Sequence, residues 1–150
     1  MIITRTPYRL SFFGGGTDYN QWFENHGGLV IAVGLTYYCY ITARKLPPFF
    51  EHKSRIVYSN IEHVQNVSEI EHPSVKGCFN FKKITDGLEI HYDGDLPSRS
   101  GIGSSSSFTV GLLGALSALN KETVNHRKLA EDAIHVEQNL LNESVGVQDQ

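Results

Sequence analysis

The sequence is poor in the residues that would mark a secreted, metal-stapled or membrane-bound class. Its two cysteines, Cys39 and Cys78, are too few and too far apart for a disulfide framework, and they fit a reduced cytosolic compartment. Seven histidines are present, but they are scattered, without the paired spacing that a zinc site needs. The N-terminal Met1-Ile2-Ile3-Thr4-Arg5-Thr6 lacks the long apolar core of a signal peptide, and no run is long enough to span a bilayer. A basic excess is missing too: 13 Lys and Arg against 16 Asp and Glu leave a net charge of −3, which gives no electrostatic footprint for nucleic acid or an anionic membrane. Internal repeats and low-complexity tails are absent. What is there is 150 residues, 40% hydrophobic and 19% charged, the composition of one globular domain with a sizeable core. The expectation is a cytoplasmic protein with no structural metal, no nucleic-acid partner and no membrane partner.

The most informative stretch is Leu96-Pro97-Ser98-Arg99-Ser100-Gly101-Ile102-Gly103-Ser104-Ser105-Ser106-Ser107, which runs directly into an apolar helical pattern. Two glycines around one residue let the backbone fold tightly and approach a ligand. Serines at a helix start add hydroxyls to unpaired backbone N–H groups, and the helix macrodipole makes the cluster a phosphate site. A hydroxyl beside phosphates can also take a place on Mg²⁺. The plainer alternative is a Gly/Ser loop whose serines merely cap the helix. No Gly-Lys-Ser/Thr follows, so this is not a Walker A loop. The dinucleotide fingerprint is also incomplete, since Ser106 stands at its third glycine position.

The organisation suggests an α+β domain, with strands first and helices last. Ile2–Thr6 and Arg9–Phe13 read as short strands separated by Pro7. Leu29–Lys45 reads as a long half-buried strand in which Ile31, Val33, Leu35 and Tyr37 alternate with smaller or polar residues. Arg55–Ser59 and Leu88–Tyr92 are further strands, the second leading into an Asp93-Gly94-Asp95 turn. A short helix is expected near Val75–Phe81 within an otherwise ambiguous 60–87 region. One helix follows the serine run and stops near Asn120, and a second runs from about Asn125 to Asn142.

That last helix holds an anomaly. Leu129, Ala130, Ala133, Ile134, Leu140 and Leu141 form one apolar face, and Glu137 falls near its centre. A carboxylate there must be paired or metal-bound. It is either bridged to a buried Arg or, facing a cleft, holds Mg²⁺ together with a serine of the Gly-rich loop. Twelve residues on, the turn Val145-Gly146-Val147-Gln148-Asp149-Gln150 carries another acid. Near the N-terminus, Arg9 precedes Gly14-Gly15-Gly16-Thr17-Asp18-Tyr19, either a glycine hinge with a surface Asp or a sugar-binding loop. Phosphoryl transfer needs a positioned hydroxyl, an orienting acid or base, a cation and Mg²⁺. Asp149, Arg9 and Glu137 supply residues for those roles.

With these motifs in place, the chain resembles the GHMP small-molecule kinases. The Pro97–Ser107 loop is similar to their Pro-x-x-x-Gly-Leu-Gly-Ser-Ser motif, with Ile102 in place of the usual Leu. Pro7-Tyr8-Arg9-Leu10-Ser11-Phe12-Phe13-Gly14-Gly15-Gly16-Thr17-Asp18-Tyr19 resembles the sugar-kinase segment that ends in Thr-Asp-Tyr. The Gly146–Gln150 turn resembles the one that carries the catalytic Asp. Within the family the likeness is greatest to the D-glycero-D-manno-heptose 7-phosphate kinases. Where galactokinase has Glu-His, this chain has Gly15-Gly16.

The resemblance implies a fold, an activity and residue roles. The fold is the ribosomal protein S5 domain 2-like N-terminal kinase domain, a mixed or antiparallel sheet packed on helices, covering residues 1–150. The activity is ATP-dependent phosphorylation of the anomeric hydroxyl of a sugar phosphate, which would feed nucleotide-activated heptose and bacterial surface polysaccharide. Asp149 would orient or deprotonate the hydroxyl, and Arg9 would stabilise charge on the transferring phosphoryl. Pro97, Gly101, Ile102, Gly103, Ser104, Ser105 and Ser106 would bind ATP. Ser105 and Glu137 would hold Mg²⁺, and Gly15, Gly16, Thr17 and Asp18 would bind the sugar. The alternatives are another sugar kinase of the fucose or galactose type, or a catalytically silent nucleotide- or sugar-binding remnant. Family members are roughly twice this long, with a ferredoxin-like second domain. The expectation is therefore an N-terminal half that exposes the face meant for that domain. A homodimer is left open.

Overall fold

The computed structural model describes residues 1–97 and 100–150; Ser98 and Arg99, part of the expected phosphate loop, lie outside the described residues. The strands are β1 (Ile2–Phe13), β2 (Ile31–Lys45), β3 (Ser54–Val57), β4 (Ile61–Val64) and β5 (Leu88–Gly94). The helices are α1 (Asn20–His26), α2 (Pro73–Phe81), α3 (Ser104–Leu119) and α4 (His126–His135). The five strands form one sheet in the order β1-β2-β5-β3-β4. Every pairing is antiparallel except β3 with β5, which is parallel. The expected α+β class and mixed sheet are what the chain forms.

The core lies between one face of the sheet and the helices. Cys39, Ile41 and Ala43 of β2, Ile56 of β3 and Ile90 of β5 meet Leu112, Leu113 and Leu116 of α3, all buried. A glycine lets α3 sit close to the sheet. A Cβ on Gly111 would stand 2.9 Å from Thr6 Oγ1 and 3.2 Å from Ile41, and Thr4 Oγ1 donates to the Gly111 carbonyl at 2.8 Å. At the start of α3, Ser107 Oγ donates to the Pro7 carbonyl at 3.0 Å. These contacts fix the N-terminus of α3 against β1, and so decide where the Gly-rich loop lies.

Several expected boundaries are corrected. Pro7 does not divide two strands: β1 is continuous through it, with a register shift between Pro7 and Arg9. The reason is position. β1 is the sheet edge, where a residue without an N–H costs little. In β2 burial alternates only from Cys39 onward, at Cys39, Ile41 and Ala43, and not over the Ile31–Tyr37 stretch where the sequence suggests it. Ile31, Val33 and Tyr37 are exposed, as are Leu10, Phe12 and Phe13 of β1, because the buried set begins only at Cys39. Gly94 closes β5, paired with Cys39, rather than forming a turn; a Cβ there would lie 2.6 Å from both Tyr8 and Tyr92 hydroxyls.

Two elements, α1 and β4, have no counterpart in the sequence reading. The last helix also differs. It is α-helical only to His135 and then widens into a π-helical turn over Val136–Leu140. The extra residue per turn leaves Leu140 44% exposed while Glu137 is fully buried. Wide turns of this kind are frequent at functional sites.

Candidate active site

The site is assembled around the N-terminus of α3. Gly103, with φ 72°, is the N-cap of α3, and Gly101 has φ 75°. Both lie in the left-handed region that side chains resist, so these two glycines are what the loop conformation requires. Of the serines that follow, Ser106 and Ser107 are buried and Ser105 is exposed. Ser100 Oγ closes back on the Pro97 carbonyl at 2.7 Å.

Arg9 reaches this loop from β1. Its backbone N–H donates to the Ile102 carbonyl at 3.2 Å, and its Nη1 donates to the Gly101 carbonyl at 3.0 Å. The other edge of the guanidinium takes Asp149: Nε donates to Oδ1 and Nη2 to Oδ2, each at 2.6 Å. Both side chains are about one-fifth exposed, at 20% and 19%, so the pair lies at the rim of the site and not in the core. A forked, two-bond pairing fixes the carboxylate in plane and in direction. Asp149 and Arg9, expected to act together, are in direct contact.

Glu137 sits behind the serine run. Its Oε2 accepts from Ser106 Oγ at 2.9 Å and from the amide of Gln150. Of the two alternatives for Glu137, the bridge to a buried Arg does not form among the described residues. Burial pushes the Glu137 carboxyl above the usual range, while the hydrogen bonds it accepts from neighbouring side chains pull the other way. The serine in contact is Ser106. Ser105, one residue earlier, instead faces a cavity of about 400 Å³ shared with Ser104, Glu143, Tyr58, His72 and Phe108. His72 stacks on Phe108 with ring centroids 4.8 Å apart, and burial holds its imidazole below the ordinary value. Burial also raises the Glu143 carboxyl, and its backbone N–H donates to the Glu137 carbonyl at 2.9 Å.

The Gly14–Asp18 loop packs against the turn that carries Asp149. Asp18 is buried. Its Oδ1 accepts from the Gly16 N–H at 2.9 Å and its Oδ2 from the Gln148 N–H at 3.4 Å, while its carbonyl accepts from Val147 N–H at 3.1 Å. Ser11 Oγ donates to Gln148 Oε1 at 2.7 Å. Thr17 Oγ1 donates to the Gly14 carbonyl at 2.7 Å. Gly15 lies over Gln148, from whose amide nitrogen a Cβ would be 3.9 Å away. Asp18 thus spends its carboxylate on joining the two segments, a use the sequence reading did not anticipate.

The expected site residues lie on β1 (Arg9), the Gly-rich loop and first turn of α3, the two glycine-bearing turns and the widened helix end. Gln148, Gln150, Glu143 and His72 were not singled out in advance. For Gln148 and Gln150 the only available signal was their position beside Asp149. Among the described residues no group of three or more His, Cys, Asp or Glu could hold a metal ion. Any cation here would therefore depend on Glu137 with neutral oxygens. Glu137 Oε1 is buried and accepts no hydrogen bond, so the residues present fit a hard cation.

Residues 57–150 match the family model for the GHMP kinases N terminal domain. The D-glycero-alpha-D-manno-heptose 7-phosphate kinase of Campylobacter jejuni is 28% identical over 161 aligned residues, which cover 99% of this chain and 47% of that protein. The chain therefore spans about half the length of this curated relative. Among solved structures, a D-glycero-D-manno-heptose 1-phosphate kinase from Bacteroides thetaiotaomicron matches with a TM-score of 0.87 at 23% identity, covering 100% of this chain and 52% of the other. The galactokinase of Lactococcus lactis complexed with galactose matches with a TM-score of 0.73 at 23% identity, covering 97% of this chain and 39% of the other. These two likenesses show the fold.

Proposed function

Because the chain belongs to the GHMP kinases, we propose that it is the nucleotide-binding half of an ATP-dependent sugar kinase. The reaction we assign is phosphorylation of the anomeric hydroxyl of a sugar phosphate, with D-glycero-D-manno-heptose 7-phosphate as the leading substrate. The observation that carries the reading is the Arg9–Asp149 pair anchored to the carbonyls of Gly101 and Ile102. It puts a fixed carboxylate and a cation beside a helix N-terminus suited to phosphates. The likeness to the Campylobacter jejuni enzyme, carried along the whole chain, supports the heptose substrate.

In this reading Gly101, Ile102, Gly103 and Ser104 wrap the ATP phosphates with backbone N–H groups, aided by the α3 dipole. Pro97 begins that turn. Ser105 faces the aromatic-lined cavity and helps seat the nucleotide. The sugar oxygen attacks the γ-phosphorus as the bond to the bridging oxygen breaks, and ADP departs with that electron pair. Asp149 orients the attacking hydroxyl by accepting its hydrogen bond, and the hydroxyl proton leaves through that carboxylate to solvent as the new O–P bond forms. Orientation is its main task, since Arg9 already engages both of its oxygens. Arg9 offsets charge on the transferring phosphoryl. Glu137 and Ser106 would hold Mg²⁺, which when bound balances the phosphate charge. Backbone groups of Gly15, Gly16 and Thr17 line the sugar side, and Asp18 keeps that loop on the catalytic turn. The exposed apolar strip of Phe12, Phe13, Ile31 and Val33 is where we place the rest of the protein.

The test is sugar-dependent ADP release with Mg-ATP, offering heptose 7-phosphate, fucose and galactose separately to the purified protein. Release with heptose 7-phosphate alone is expected. Release only with fucose or galactose would keep the kinase and discard the substrate, and release with none would favour a silent binding remnant.

A further inference from the structure

Gln150 has no role in the reaction just described, yet it sits against the group meant for the cation. Its amide nitrogen donates to Ser106 Oγ at 3.1 Å and to Glu137 Oε2. Ser106 Oγ in turn donates to Glu137 Oε2 at 2.9 Å. The three side chains close a triangle behind the first turn of α3. Two of its oxygens, Glu137 Oε1 and Gln150 Oε1, are buried and accept no hydrogen bond. Buried oxygens are rarely left so, and each needs an explanation. Two on side chains that touch, with a hydroxyl beside them, make an all-oxygen donor set of the kind a hard divalent cation takes.

The orientation of the amide fits the same idea. Its N–H₂ end, the positive end of the amide dipole, stands against the Glu137 carboxylate where positive charge is wanted. The terminal torsion of a glutamine is broad and roughly two-fold, so a half-turn exchanges nitrogen for oxygen without moving the backbone. A neutral amide can serve both states. An acid at this position would confront Glu137 with a second buried negative charge whenever the cation left.

We propose that Gln150 is a cation-positioning residue: with a divalent cation present its Oε1 joins Glu137 and Ser106 as a ligand, and without one its Nε2 turns to Glu137. This rests on the reading of the site as a Mg²⁺-dependent phosphoryl-transfer site and extends it to a residue outside the chemistry.

The experiment titrates the protein with Mn²⁺ beside an equimolar non-hydrolysable ATP analogue, follows free Mn²⁺ by its electron paramagnetic resonance signal, and subtracts the Mn²⁺ taken up by the same analogue alone. Thermal unfolding in a chelator is recorded alongside. Gln150→Leu is expected to weaken Mn²⁺ binding by about 10- to 100-fold, the usual loss when a residue supporting a metal site is removed. Gln150→Glu, which keeps an oxygen and adds charge, is expected to bind Mn²⁺ at least as tightly as the natural protein. Unchanged Mn²⁺ affinity in Gln150→Leu, with or without a lower unfolding temperature in chelator, would overturn the proposal and leave Gln150 a packing residue. Weakened binding in Gln150→Glu would overturn it as well, and that variant decides the matter if Gln150→Leu does not fold. Absence of Mn²⁺ binding by the natural protein would overturn the cation site itself and the role of Gln150 with it.

Discussion

Arg9 and Asp149 lie 140 positions apart in the chain and are joined by two hydrogen bonds of 2.6 Å, one to each carboxylate oxygen. The same guanidinium holds the Gly101 carbonyl, so one side chain ties the first strand, the phosphate loop and the final turn together. Asp149→Asn should therefore lower turnover by roughly 100- to 10,000-fold, the range for losing a positioned acid–base group. ADP affinity should be nearly unchanged. Steady-state turnover and calorimetric ADP binding check the two halves separately, and loss of both together would argue for a structural Asp. Arg9→Lys should not rescue the pair, because an ammonium cannot present two parallel donors.

Gly146 allows the closest approach in the site. A Cβ on it would stand 1.7 Å from Asp18 Oδ2, and Asp18 cannot easily withdraw while it holds the Gly16 and Gln148 N–H groups. Gly146→Ala should cost about 1–3 kcal/mol, as overpacking does, and should displace the Asp149 turn. Denaturant unfolding measures the first effect. Adding Asp18→Ala should return part of the stability, a coupling that a double-mutant cycle detects.

Glu137 presents a conflict between stability and chemistry. Burial raises its carboxyl in the folded protein, so its contribution to stability is complete below the ordinary carboxylate range and is lost as the pH rises through the raised folded value. Glu137→Gln imitates the neutral form. It should gain ~1 kcal/mol at neutral pH, raising Tm by roughly 2–4 °C, and the gain should vanish in acid. Sugar phosphorylation should fall sharply in the same variant. A melting series across pH, set beside the activity, tests both.

His72 works in the opposite sense. Burial lowers its imidazole, and its Nδ1 accepts from the Val75 N–H at 3.4 Å at the start of α2. The stability it provides is present above its ordinary value of 6.5 and is lost as the pH falls through the lowered folded value. His72→Asn keeps a capping acceptor without a titrating ring. Unfolding midpoints of the natural protein should drop between neutral and mildly acid pH by more than those of the variant.

The parts of the fold legible in sequence were those with strong periodicity or punctuation. The β2 segment, the α2 segment and the serine-led α3 all declare themselves locally, although the half-buried alternation read in β2 fell on Ile31–Tyr37 and the buried residues are Cys39, Ile41 and Ala43. The strand β4 did not, because Ile61–Val64 is only four residues long and its buried members include Glu62, an acid that accepts from the Glu71 and His72 N–H groups just ahead of α2. Pro7 misled for a tertiary reason, since only the sheet order puts it on an edge strand. At the site, Glu137 was visible as an acid on an apolar face. Ser106 could not be told from Ser105, because which of two adjacent serines turns inward depends on the angle at which α3 meets the widened turn. Asp18 looked like a free ligand-binding acid, and only the fold shows that it is committed to two backbone N–H groups.

The bond between Arg9 and Asp149 also sets an order of events during synthesis. A growing chain acquires Arg9 almost at once and the Gly101–Ser106 loop much later, but the carboxylate that faces both comes only after a further forty-odd residues, at position 149. Pairings between such distant positions form late, once the loop-closure entropy between them has been met. Until then the Arg9 guanidinium lacks the carboxylate it pairs with in the folded chain, and Asp149 has no seat. The two groups therefore take up their places together, and only after both stretches of chain have been made.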